Sequence, residues 1–180
     1  MKGVVFTEFL DFADGRLGAA VVEGALVNCD LKSGGAYTAV GTYDHEELVA
    51  ILSEICRQTG HSANALLRDF GEHLFATLAR GYPVLLETSS DSFSLLEKVE
   101  GVIHVEVRKL YPDAQLPTFK HERLGPHELV LDYHSERAFG DLADGLLRGC
   151  FAHFKESVEM TREEAAGSGG TQIRFHLKRN

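Results

Sequence analysis

The amino-acid sequence predicts an α+β fold: a helical N-terminal lobe, then a small antiparallel sheet of about four strands with packed helices. Two observations carry this. Apolar residues recur at helical spacing from the N-terminus to about residue 110, and beyond that the period changes to strand alternation. One stretch of the second half then returns to helical spacing between two strand pairs. No repeat, low-complexity segment or linker divides the 180 residues, which suit one domain over 1–180 with a sizeable core.

The elements follow in order. "MKGVVFTEFLDFA" places Val5, Phe9 and Phe12 at helical spacing, and Leu17–Cys29 continues with small and aliphatic residues. The glycines of "KSGGAYTAVGTY" mark a loop. In "YDHEELVAILSEICRQTG", Asp44 with Glu47 three residues on fits a capping box, Leu48, Ile51, Leu52 and Ile55 form the stripe, and Gly60 ends the helix. The helical lobe is expected to close near residue 62, where Ser62 can cap a helix from Ala63 to about Ala79. Within that helix Gly71 costs ~1 kcal/mol against alanine, which admits either a bulky neighbour or a tight helix crossing. Leu96, Val99, Ile103, Val107 and Leu110 predict one further helix, stopped near Tyr111 by Pro112. "TFKHERLGPHELVLDYHSER" reads as two strands joined at Gly125-Pro126. Phe139, Leu142, Leu146, Cys150 and Phe154 share one side of a helix, and "SVEMTREEAAGSGGTQIRFHLKRN" closes as a hairpin with a glycine-rich turn.

Composition excludes several functions. A net charge of −9 argues against nucleic acid and against docking on anionic lipid. No apolar run reaches membrane-spanning length, and acids follow the single N-terminal lysine too soon for a signal peptide, so a cytoplasmic location is expected. Cys29, Cys56 and Cys150 are odd in number and widely spaced, which suits buried or bystander thiols better than disulfides or a sulfur-rich zinc site. Nucleophile-elbow, zincin, P-loop and dinucleotide-binding motifs are all missing. His121, His127, His134 and His176 are expected in solvent.

Two features remain. His104 lies beside an apolar helical stripe, and imidazole is the commonest protein ligand for haem iron. In the second strand Leu129, Leu131, Tyr133, Ser135 and Arg137 share a face, so a core-facing row ends in two hydroxyls and a guanidinium. An arginine fork with hydroxyls beside it suits carboxylates such as haem propionates. Taken singly, each has a plainer reading: a half-buried core histidine, and a strand end entering water.

Together they resemble a known family. The "MKG" opening, Phe70-Gly71, the helical His104, Pro117 thirteen residues later, Y-x-S-x-R at 133–137 and the final hairpin are similar to the H-NOX domains. That family of haem nitric oxide/oxygen binding domains includes the haem sensor of soluble guanylate cyclase, and the resemblance here is to the stand-alone bacterial type. It implies haem b, ferrous protoporphyrin IX, between the helical lobe and a cradling lobe of about residues 63–180. It implies His104 as iron ligand, Tyr133, Ser135 and Arg137 on the propionates, and Pro117 pressed on the porphyrin. The distal wall would be Val5, Phe9, Leu74, Leu78, Leu142 and Leu146. Oxygen-binding members carry a tyrosine at the position of Leu142, with polar support at Leu74 and Phe9. The apolar residues here therefore imply a sensor of nitric oxide and CO that discriminates against O₂, since a donor hydrogen bond is worth about 1–3 kcal/mol, roughly one to two decades in affinity. Zinc is not expected, because Cys150 and His153 are the only close pair. By the same resemblance the domain is not an enzyme. Nitric oxide would weaken or break the Fe–His104 bond, and a separate histidine kinase or cyclic-di-GMP enzyme would read the change. The alternatives are a haem or gas carrier without a partner, an apolar-ligand binding module without iron in which His104 is structural, and a thiol or haem redox sensor.

Overall fold

The computed structural model describes residues 1–165 and 170–180. Two N-terminal helices, α1 (Gly3–Leu17) and α2 (Ala19–Asn28), precede α3 (His45–Thr59) and the long α4 (Ala63–Gly81). On α1 the buried stripe is Phe6, Phe9 and Phe12, with Val5 half-buried beside it. Phe6 stacks on Tyr37 and meets Tyr43 edge-on, which closes the 29–44 loop over the helices.

Asp44 starts α3 by accepting the Glu46 N–H at 3.1 Å, and Gly60 ends it at φ 75°. Glu47 does not complete the expected capping box. Its buried carboxylate instead accepts the Ser33 hydroxyl, the Ser33 N–H and the Tyr37 hydroxyl, because three loop donors solvate it better than one cap N–H. Ser62 occupies the cap position of α4 without a side-chain cap bond.

The single helix expected from the stripe of Leu96 to Leu110, stopping near Tyr111, is broken. Asp91 and Ser94 form a capping box that opens the short α6 (Ser92–Leu96), after an unanticipated α5 (Pro83–Glu87) begun by Pro83. Val99–Ile103 is then a π turn, and α7 (His104–Leu110) follows. One extra residue in a turn rotates everything after it by about 100°. The apolar stripe therefore slips, and Leu110, expected on the core face, is 64% exposed.

The sheet comprises β1 (Thr118–Gly125), β2 (Glu128–Ser135), β3 (Val158–Ala165) and β4 (Thr171–Arg179), antiparallel in the order β1-β2-β4-β3. The glycine-rich turn expected between β3 and β4 lies largely outside the described residues. Between β2 and β3 runs α8 (Gly140–Phe154).

The apolar residues gather in two clusters. One joins α1, α3 and α4 to Phe139 and Leu142, and the other packs Leu129, Leu131, Tyr133, Ile173, Phe175 and Leu177 of the sheet against Ala143, Leu147, Cys150 and Phe151. The residues expected on one side of α8 thus divide between both clusters. The α4–α8 crossing makes this possible. A Cβ on Gly71 would stand 2.5 Å from the Leu142 carbonyl oxygen, and one on Gly145 would stand 2.1 Å from that of Arg68. Gly71 thus serves a tight crossing, not a bulky neighbour. Arg68 bonds Asp141 across it at 2.7 Å, and Arg162 of β3 reaches the same carboxylate at 2.9 Å.

The clash at Gly145 is with backbone on the facing helix, so neither side chain nor solvent can yield. Gly145→Ala should lower unfolding free energy by about 1–3 kcal/mol in urea denaturation. Gly15, exposed on α1 with nothing within 4 Å of where a Cβ would stand, is the control: Gly15→Ala should be neutral or stabilising by up to about 1 kcal/mol. Equal effects at both positions would contradict the close crossing.

Candidate haem site

His104 stands at the junction of the π turn and α7, where its N–H closes the wide turn onto the Val99 carbonyl. Its side chain is 11% exposed. Nδ1 lies 3.1 Å from Oε2 of Glu100, which leaves Nε2 as the ring's acceptor nitrogen. Glu100 also accepts the Phe119 N–H at 3.2 Å and Arg108 Nη2 at 3.0 Å. Burial pushes the His104 imidazole toward its neutral form, against the opposing pull of Glu100. Burial opposes charge on Glu100 too, but the bonds from Arg108, His104 and Phe119 hold its carboxyl below the usual range.

From His104 a row of rings leads to the polar strand end. The Phe119 ring lies 5.9 Å from His104 and 5.4 Å from Tyr133, its partner across β1 and β2. The expected strand face is present: Leu129, Leu131, Tyr133 and Ser135 are all buried. Burial pushes the Tyr133 phenol up, with Ser135 and Arg137 pulling the other way, so it stays a neutral donor. Ser135 Oγ accepts the Arg137 N–H at 3.1 Å. The Arg137 guanidinium gives two of its donors to Gln115, at 3.0 Å to the carbonyl and 2.6 Å to the side-chain oxygen. Its fork thereby ties to the loop that carries Pro117, and further N–H groups remain on it.

All six residues expected on the distal wall lie in or against the first apolar cluster. Phe9, Leu74 and Leu142 are buried within it, while Val5, Leu78 and Leu146 pack on it half-buried. Tyr133 belongs to the second cluster, where Phe119 and Ile103 pack. The candidate residues therefore come from both clusters, with α8 common to the two. Cys150 and His153, the close pair weighed for zinc, have separate surroundings: the thiol faces the Ser92 carbonyl at 4.0 Å, and the imidazole packs on Phe75 and Phe154. His176 is not in solvent as expected, since its Nε2 is buried.

Four residues of the site escaped the sequence reading: Glu100, Arg108, Gln115 and Phe119. A signal existed for Glu100, a carboxylate four residues before a candidate ligand on a helical segment. Gln115 offered none, because loop geometry brings it to Arg137.

The loop behind α7 is also tied to the N-terminus. Asp113 accepts Thr42 Oγ1 at 2.6 Å and Lys2 Nζ at 3.4 Å, and Lys2 lies over the Tyr111 ring at 4.8 Å. Among the described residues no helix is long and apolar enough to cross a membrane.

Comparison with known proteins identifies the family. The family model described as Haem-NO-binding matches residues 2–162. A search of curated proteins finds no match. Among solved structures, the unliganded Fe(II) H-NOX protein from K. algicida is 38% identical, with a TM-score of 0.94 over 100% of this chain and 97% of its own. The H-NOX from Shewanella woodyi, solved bound to IWP-051 in the Fe(II)CO state, is also 38% identical, with a TM-score of 0.85 over 100% and 95%. The S. oneidensis H-NOX protein in the Fe(II)NO state is 26% identical, with a TM-score of 0.90 over 100% and 99%. The chain belongs to the Haem-NO-binding family, the H-NOX proteins, which are haem-based gas sensors.

Proposed function

We propose that this domain holds haem b through His104 and senses nitric oxide, with CO as a second ligand, while discriminating against O₂. The observation that carries the reading is a placement. One imidazole offers Nε2, a row of neutral and cationic donors stands at the strand end beyond Phe119, and the six wall residues are wholly apolar. Those groups fit a haem: a nitrogen for the iron, a hydroxyl pair and a guanidinium for two propionates, and hydrocarbon for the ring. The haem, when bound, would supply a ferrous iron able to bind a diatomic gas, with His104 as its protein ligand. Relatives in the Fe(II)NO and Fe(II)CO states support both gases.

The chain's own residues set the rest. Tyr133, Ser135 and Arg137 would orient the carboxylates, and Pro117, on the loop that Gln115 ties to Arg137, would meet the ring. The wall of Val5, Phe9, Leu74, Leu78, Leu142 and Leu146 excludes water and offers no N–H or O–H. O₂ bound to ferrous iron depends on such a donor far more than nitric oxide or CO does, so these side chains act as the filter. His104 carries the signal. A group held at its Nε2 would restrain α7, and α7 with the Asp113 loop, fastened to Lys2 and Thr42, is the segment that such a hold would control. A separate protein then reads the altered surface, since switching requires different affinity for the two states. By analogy with the family's bacterial members that protein is a histidine kinase or a cyclic-di-GMP enzyme, in the cytoplasm.

His104→Gly should purify without haem and regain a ferrous spectrum only when imidazole is added. A normal ferrous spectrum without imidazole refutes the ligand assignment. Arg137→Ala removes charge-assisted bonds worth about 1.5–3 kcal/mol each, so haem release to excess apomyoglobin should accelerate by roughly one to two decades. An unchanged release rate removes Arg137 from the propionate site.

A further inference from the structure

The Glu100 carboxylate beside His104 is engaged on both of its oxygens. Its two oxygens meet groups from three places: Nδ1 of His104, the N–H of Phe119 at the start of β1, and Nη2 of Arg108 one turn along α7. Oε2 faces both His104 and Phe119, and Oε1 faces Arg108, so the carboxylate plane is fixed from both ends. The π turn contributes to this. Glu100 lies inside it and His104 closes it, so the backbone between the two is set by the i+5 bond onto Val99.

A carboxylate on one imidazole nitrogen does two things to the other. It fixes the tautomer, so that Nε2 carries the lone pair, and it pushes electron density onto the ring, which makes Nε2 a stronger donor to a metal. We infer that Glu100 is a positioning residue that sets the strength of the His104 bond to haem iron, and that Arg108 moderates it by drawing charge from the same carboxylate. The inference rests on the haem reading of His104. Its consequence is functional: Glu100 opposes release of His104, and so sets how much of the protein switches when nitric oxide binds. Arg108, acting on the opposite oxygen, shifts that balance toward release.

The two residues therefore make opposite predictions, which a merely structural role would not. The measurement is the iron–histidine stretching band of the reduced, unliganded, haem-loaded full chain, read by resonance Raman. Glu100→Gln keeps the shape and removes the charge, so the band should move to lower frequency. Arg108→Ala removes the moderating cation from a half-exposed position, so the band should move to higher frequency. With nitric oxide, absorption spectra should show a larger fraction of protein with His104 released in Glu100→Gln, and a smaller one in Arg108→Ala. A band unmoved in both variants, or moved the same way in both, overturns the inference. If Glu100→Gln fails to load haem, the Arg108→Ala band decides alone: a rise supports the inference, and no rise or a fall overturns it. Failure of the underlying haem reading looks different, because the unmodified protein would then show no such band.

Discussion

Where α4 and α8 cross, their backbones touch at Gly71 and Gly145, and this contact decides where both apolar clusters lie. With α8 so close to α4, one face of α8 carries Leu142 and Leu146 to the helical cluster, and the next carries Ala143 and Leu147 to the sheet. A side chain at either glycine would push the helices apart and separate the wall from the sheet that carries Tyr133 and Ser135. Burial of large side chains in each cluster supplies the favourable free energy, at roughly 25 cal/mol per Å² of apolar surface. The crossing supplies the geometry that lets two clusters share one helix.

The other side of the site rests on an irregularity. The π turn at Val99–Ile103 offsets α7 from α6, aims His104 between Glu100 and Phe119, and turns Leu110 outward. Wide turns of this kind are less favourable than α-helical ones and are frequent at functional sites. Here the bond from the Phe119 N–H to Glu100 holds the turn against β1 and the bond from Arg108 ties it to α7, while Asp113 holds the end of α7 against Lys2 and Thr42. The helix bearing His104 is thus short and fastened at both ends. A change at the imidazole has few places to go except into those fastenings.

Much of this was legible in the sequence, and the gaps have physical causes. Asp44 and Gly60 marked α3 because cap chemistry is local. The row from Leu129 to Ser135 was legible because strand alternation permits one buried face. Gly71 announced an unusual position, although only the second helix shows that its partner is Gly145. The π turn was missed because a periodicity reading assumes 3.6 residues per turn throughout, and Val99, Ile103 and Val107 fit that period well enough to conceal one inserted residue. Glu47 looks like a cap partner in the sequence, since nothing local says that Ser33 and Tyr37 fold back onto it. The association of His104 with Tyr133, Ser135 and Arg137 came from resemblance to a family. The strand pairing of Phe119 with Tyr133 is what links them in space.

The proposed gas specificity turns on whether a wall without donors lies over an iron that His104 would hold. Absorption spectra of the reduced protein test this directly, taken first under argon and then with nitric oxide, CO and air. The Soret band should shift with nitric oxide and with CO, and air should give no stable O₂-bound spectrum. A persistent O₂-bound spectrum in the unmodified protein would contradict the selectivity of the apolar wall, and the absence of any Soret band after haem supplementation would contradict the haem site itself.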